Sequence, residues 1–106
     1  MPNNRLETLK AMVALNPADS FSRYGLAMEY RNAGDSEAAV EEFRKLIAAD
    51  PGYAYAYFHA GQTLERMGRK EEARDLYRQG LDAAQRKGDR HAQSELQGAL
   101  DLLGAS

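Results

Sequence analysis

Residues 23–51 read RYGLAMEYRNAGDSEAAVEEFRKLIAADP, and residues 57–85 read YFHAGQTLERMGRKEEARDLYRQGLDAAQ. Laid over each other, the two stretches match at one interval. Gly34 and Gly68, Ala39 and Ala73, and Phe43 and Tyr77 all stand thirty-four residues apart, as do Pro17 and Pro51. An interval shared by glycines, alanines, aromatics and prolines means that one structural unit is repeated. Stacked units form extended surfaces more readily than enclosed chemical pockets, so the expected function is recognition.

The spacing inside the unit is helical. From Phe21 to Ala33 the apolar residues Phe21, Tyr24, Leu26, Ala27, Met28 and Tyr30 cover a broad helical face. Gly34 supplies the left-handed residue that ends a helix, and Asp35 or Ser36 is placed to cap the next one. That second helix carries Ala39, Val40, Phe43, Leu46 and Ile47 at three- and four-residue spacing. The small pairs Ala27/Ala39 and Gly61/Ala73 fall where the two helices of a hairpin touch. Asp50-Pro51-Gly52 then stops the unit, because proline lacks an N–H and turns its predecessor away from the helical region.

The flanks extend the pattern. Asn4 with Glu7 has the form of a capping box, opening a helix with Leu6, Leu9, Met12 and Val13 on one side. Leu9 and Pro17 lie one period before Phe43 and Pro51, so this segment corresponds to the second helix of a unit whose first is missing; Arg5 stands where that unit wants alanine. At the other end Gly88-Asp89 begins a helix reaching about Leu103, with Ala92, Leu96, Ala99, Leu100 and Leu103 as its apolar face. Two extra residues bring Leu96 and Leu100 onto the sites of Leu26 and Tyr30, but Gln97 then takes a small-residue site. The segment therefore reads as a cap and not as a third binding unit, and Gly104 reads as its stop.

The quoted residues resemble the tetratricopeptide repeat, whose signature is a bulky residue, Leu, Gly and Tyr, then Ala, Phe and a closing Pro. The first copy supplies Arg23, Leu26, Ala27, Tyr30, Gly34, Ala39, Phe43 and Pro51. The second supplies Tyr57, Ala60, Gly61, Leu64, Gly68, Ala73 and Tyr77, with Gln85 in place of proline. Arg23 departs from the bulky site, and Phe21 is expected to provide the missing packing. The resemblance runs from about Ser20 to Gln85. It implies an all-α fold, a right-handed superhelical stack of antiparallel helical hairpins forming one domain over residues 1–106. Its parts are a half-unit helix at about 4–16, repeats at 20–52 and 54–86, and a capping helix at 89–103.

The same resemblance implies that the first helices of the hairpins line a concave groove for an extended peptide or a partner helix. Its groove positions here are Phe21, Tyr24, Met28 and Arg31, then Tyr55, Phe58, Gln62 and Glu65, with Asn32 and Arg66 at the margin. Some members grip chaperone C-terminal carboxylates with Lys, Asn and Arg on this face. Tyr24, Met28 and Phe58 replace such residues here, which favours an apolar segment or an amphipathic helix as ligand. Ordinary packing competes for the aromatics. Tyr57 is expected between helices and Tyr53 over the hairpin joint; Phe21 and Tyr55 divide between core and ligand contact; Tyr24 and Phe58 are expected to face the ligand.

Other function classes find little support. The chain of 106 residues has a formal net charge of −2, no cysteine and two histidines. By size alone it buries roughly 65% of its unfolded surface. His59 and His91 fall on different helices and read as surface residues, so no metal and no cofactor is expected, and no nucleophile elbow or phosphate loop appears. Acidic pairs such as Glu41-Glu42 point to different sides of a helix and read as solvation, with Glu41–Lys45 and Asp82–Arg86 as four-residue ion pairs. An RNA-reading helical repeat needs a basic footprint. The basic run Arg66, Arg69, Lys70, Arg74 and Arg78 is interleaved with Glu65, Glu71, Glu72 and Asp75 and reads as a solvated face. No segment has the ~20 apolar residues of a membrane span, no cleavable signal is visible, and a cytoplasmic location is expected. Self-association stands as the alternative, since the outer side of the first helix leaves Leu6 or Met12 uncovered and a homodimer would hide them.

Overall fold

The computed structural model describes residues 4–104. They form six α-helices: α1 (Asn4–Leu15), α2 (Ser20–Asn32), α3 (Ser36–Ala49), α4 (Ala54–Arg66), α5 (Lys70–Lys87) and α6 (Arg90–Leu103). No strand occurs among the described residues. Each helix packs on the next. In addition α2 touches α4 and α4 touches α6, whereas the Cα traces of α1, α3 and α5 stay more than 8 Å from one another. The stack is therefore tight on the α2–α4–α6 side and splayed on the other, which is how curvature arises in a repeat protein.

The hairpin turns follow their glycines. Gly34 and Gly68 have φ of +85° and +77°, a conformation open to glycine and rarely to other residues. Both turns close with the same bonds: Gly34 N–H donates to Arg31 O and Asp35 N–H to Tyr30 O, then Gly68 N–H to Glu65 O and Arg69 N–H to Leu64 O. Asp35, and not Ser36, caps α3, accepting from Ala38 N–H at 3.2 Å. Asp89 caps α6 in the same way. Arg69, in the place of Asp35, has no capping oxygen and instead pairs with Glu72 in the first turn of α5 and with Glu37 on α3.

The core is the predicted one. Ala27, Ala39, Phe43, Ala60, Leu64, Ala73, Tyr77 and Leu96 are fully enclosed or nearly so. Tyr77 lies so close over Gly61 that a Cβ there would sit 2.3 Å from its Cε1, which is why the second copy needs glycine where the first has Ala27. Tyr57 is buried between helices and donates its hydroxyl to Pro51 O at 2.6 Å.

Four expectations are corrected. Phe21 does not compensate for Arg23: its side chain is 75% exposed. Arg23 fills the bulky site itself, reaching Pro17 O at 3.4 Å, as Tyr57 reaches Pro51 O one period later, and pairing with Glu42 at 2.6 Å. Arg74 is not part of a solvated face; it is buried against Glu71 while Arg66, Lys70 and Arg78 remain exposed. Asn4 is already in the first turn of α1, with Thr8 Oγ1 donating to its carbonyl, so it is not the cap expected of it. His59 is not a plain surface residue: it is half-buried among the rings of Tyr24, Phe43, Tyr55 and Phe58, beside the Arg31 guanidinium.

Candidate functional site

The tight face of the stack carries the predicted site. Three positions recur on it: Tyr24, Met28 and Arg31 on α2, then Phe58, Gln62 and Glu65 on α4 at the repeat interval. Thirty-six residues beyond the α4 set come Ser94, Gly98 and Asp101 on α6, and all three line a cleft together with Phe58, Gln62 and Glu65. Helix α6 thus stands beside α4 on the tight face, with residues of both helices lining one cleft. The two-residue offset comes from α5, which runs on to Lys87 because Gln85 replaces the stopping proline. Gln97 is exposed because no helix follows α6 among the described residues to press against it.

Aromatic rings make the floor. Tyr24 lies 5.2 Å from Tyr53, 6.2 Å from Phe43 and 5.8 Å from His59, between ring centroids. Phe58 follows at 5.3 Å from His59 and 6.3 Å from Tyr77. Tyr55 joins Phe58 at 6.5 Å and His91 at 6.2 Å. These separations suit edge-to-face and offset ring pairs. Tyr24, Met28, Tyr55 and Phe58 are half-buried, rooted on the core with one side outward. Tyr53 belongs to this floor and does more than cover a joint. Phe21 takes no part in the ring contacts among the described residues and stands in solvent at the start of α2.

His59 is the residue that sequence spacing missed. Its position is held by Gly25 in the first copy, where Leu9 fills the space, so the repeat alignment carries no signal for it. Arg31 lies 3.0 Å from its Nδ1. A guanidinium cannot accept, so Nδ1 offers its lone pair and the imidazole proton sits on Nε2. Burial, and next the Arg31 charge, push the His59 pKa down to about 4, with a hydrogen bond to Gln62 opposing them. Burial and the neighbouring Arg66 likewise hold Arg31 below its usual range. Burial raises the Tyr24, Tyr53 and Tyr55 hydroxyls, and raises Tyr77 further with the help of Glu65, to which its hydroxyl donates.

The face therefore has two ends. Around Arg31, Arg66 and His59 it is aromatic with basic groups. Between α4 and α6 it opens into a cleft of about 620 Å³ over Phe58, Tyr77, Ala99 and Leu102, bordered by Glu65, Glu95 and Asp101. A Cβ placed on Gly98 would meet nothing within 4 Å, so the cleft is open beside it.

The family profile for the tetratricopeptide repeat matches residues 24–88. A TPR repeat-containing protein of Pseudomonas aeruginosa is 32% identical over 91 residues, covering 86% of this chain and 87% of that protein. The crystal structure of a tetratricopeptide repeat domain protein from Salinibacter ruber superposes with a TM-score of 0.77 at 36% identity, over 83% of this chain and 99% of the other. PcrH, solved in complex with the chaperone binding region of PopD, superposes with a TM-score of 0.88 over 94% of this chain and 76% of the other. At 17% identity that last likeness is one of fold.

Proposed function

The chain belongs to the tetratricopeptide repeat family, a fold of protein-interaction modules, and on that footing we propose that its α2–α4–α6 face binds a peptide segment or partner helix of another protein. The observation that carries this reading is the half-buried aromatic surface of Tyr24, Tyr55 and Phe58, running into the open cleft beside Gly98. Rings fixed from below by the core offer apolar area at little further entropic cost. The structural neighbour PcrH, alike in fold, was solved in complex with the chaperone binding region of PopD, which lends support to this reading.

The chemistry of the face favours a polypeptide over RNA, since Glu65, Glu95 and Asp101 would repel a phosphate backbone. It also favours binding over catalysis. His59 has its Nδ1 taken by Arg31 and its pKa pushed down to about 4, which leaves it a weak general base.

Gly98→Trp tests the reading without disturbing the core, because a Cβ there meets nothing within 4 Å and Trp suits a helix interior better than glycine by roughly a few tenths of a kcal/mol. Substituting Tyr24 or Phe58 is less clean, since both rings support Phe43, His59 or Tyr77. The intact chain should capture a partner from native lysate that Gly98→Trp, equally stable to heat, does not. Equal capture by the variant would overturn the assignment of this face.

A second reading, pairing of two chains, rests on α1, where Met12 is 43% and Leu15 88% exposed. Light scattering over a concentration series decides it: a rising mass that Leu15→Asp abolishes supports pairing, and a constant monomer mass removes it.

A further inference from the structure

We propose that the α4–α6 cleft receives an apolar side chain of the partner with a basic one beside it, so that the ligand is an apolar segment carrying Lys or Arg next to its anchor. The inference rests on the groove reading above and adds the ligand's chemistry. Its first support is the shape of the site. Phe58, Tyr77 and Ala99 form an apolar floor, and Leu102, 91% exposed, stands at its border with nothing over it. Met28 and Gln62 occupy the equivalent positions on α2 and α4, while Gly98 leaves the third open. An aliphatic side chain fits there.

The second support is charge. The cleft is bordered by three carboxylates, and none of them pairs with Lys or Arg among the described residues. Glu65 accepts from the Tyr77 hydroxyl, Asp101 accepts from Gln97 at 3.0 Å, and Glu95 has His91 at 3.7 Å, which is charged only when protonated. Elsewhere the acidic side chains are mostly spoken for. Glu29, Glu42, Glu71 and Asp82 pair with Arg5, Arg23, Arg74 and Arg86, and Asp19, Asp35 and Asp89 cap helices. Asp50 and Asp75 also lack a Lys or Arg partner and accept from Ser20 and Gln79, but at the cleft three such carboxylates border one open apolar surface.

A metal ion does not suit this arrangement, because no group of His, Cys, Asp and Glu among the described residues is gathered closely enough to hold one. A Lys or Arg does. Its methylene stem lies along the apolar floor while its cation reaches a carboxylate at the border. At the other end of the face Arg31 and Arg66 would repel the same cation, so the ligand would bind in one direction.

The test uses three amidated probe peptides titrated into the isotopically labelled chain and followed by amide NMR shifts. Two share one Leu/Ala stripe, flanked by Lys in the first and by Glu in the second; the third keeps the Lys flanks with Ser in place of Leu. The Lys/Leu probe should shift Phe58, Gly98 and Leu102 and bind about tenfold tighter than either of the others, with the advantage over the Glu probe shrinking in high salt. Glu95→Gln with Asp101→Asn, both exposed and outside the core, should abolish the preference for Lys while the amide spectrum stays folded. Equal binding by the Lys/Leu and Glu/Leu probes overturns the inference, and shifts at Tyr24, Tyr55 and Phe58 in that case leave the groove reading standing. Equal binding by the Lys/Leu and Lys/Ser probes overturns it as plain charge attraction. If no probe moves the cleft, the inference also falls, and the groove reading is then decided separately by Gly98→Trp.

Discussion

The hairpin of α2 and α3 and the hairpin of α4 and α5 share one backbone and fill it with different chemistry. In the second, Tyr57 and Leu76 are buried at positions where the first has Arg23 and Glu42, joined at 2.6 Å with side chains only 14% and 12% exposed. Both residues at the bulky site still reach the carbonyl of the preceding proline. A second exchange concerns size: Ala27 and Phe43 in one hairpin, Gly61 and Tyr77 in the other. The backbone thus specifies volumes and contact points, and an ion pair or an apolar pair can supply them.

The strongest probe of that equivalence is removal of the central ring. Phe43→Ala and Tyr77→Ala should each cost on the order of 3–5 kcal/mol in urea unfolding, since both rings are fully enclosed. A cost confined to one of them would mean that the hairpins are not equivalent supports of a single core. Next comes the ion pair. Glu42→Leu alone strands the Arg23 charge and should cost about 3 kcal/mol, while Arg23→Tyr with Glu42→Leu should return near to wild-type stability or exceed it. A double variant no better than the single would show that the two sites are not interchangeable.

Gly61→Ala asks the second hairpin to accept the small residue of the first. The Cβ contact with Tyr77 predicts a loss of roughly 1–3 kcal/mol. Adding Tyr77→Phe frees the ring from Glu65 and should recover part of it; strict additivity of the two changes would refute that tether. The mildest change concerns pH, because His59 is only half-buried and solvent screens it. Its pKa is lowered from 6.5 to about 4 on folding. Between those values the unfolded chain binds more protons, so stability should fall as pH drops through that window and level off below it. His59→Gln should flatten the profile, and an unchanged slope would assign it to other groups.

The period, the turns and the core were legible because they are local or repeated. Gly34 and Gly68 announce a left-handed residue, and Phe43 and Tyr77 announce themselves by helical spacing. The same register put Phe58, Gln62 and Glu65 on one side of α4, and they do share a cleft. Phe21 did not take the packing role expected of it, because a helix face says nothing of whether a neighbour covers it. Arg23 was misread for a related reason: its partner Glu42 lies nineteen residues away on another helix.

What the chain alone conveyed was a set of sites: which residues lie on which side of which helix, where each helix ends, and that the arrangement recurs. Packing settled how those sites are used. It brought α6 onto the inner face, enclosed His59 among rings against Arg31, and left the Glu65, Glu95 and Asp101 carboxylates around an open cleft. The division has a physical cause. Backbone preference and helical periodicity act over a few neighbouring residues, whereas burial and charge pairing depend on whichever helix comes to stand opposite.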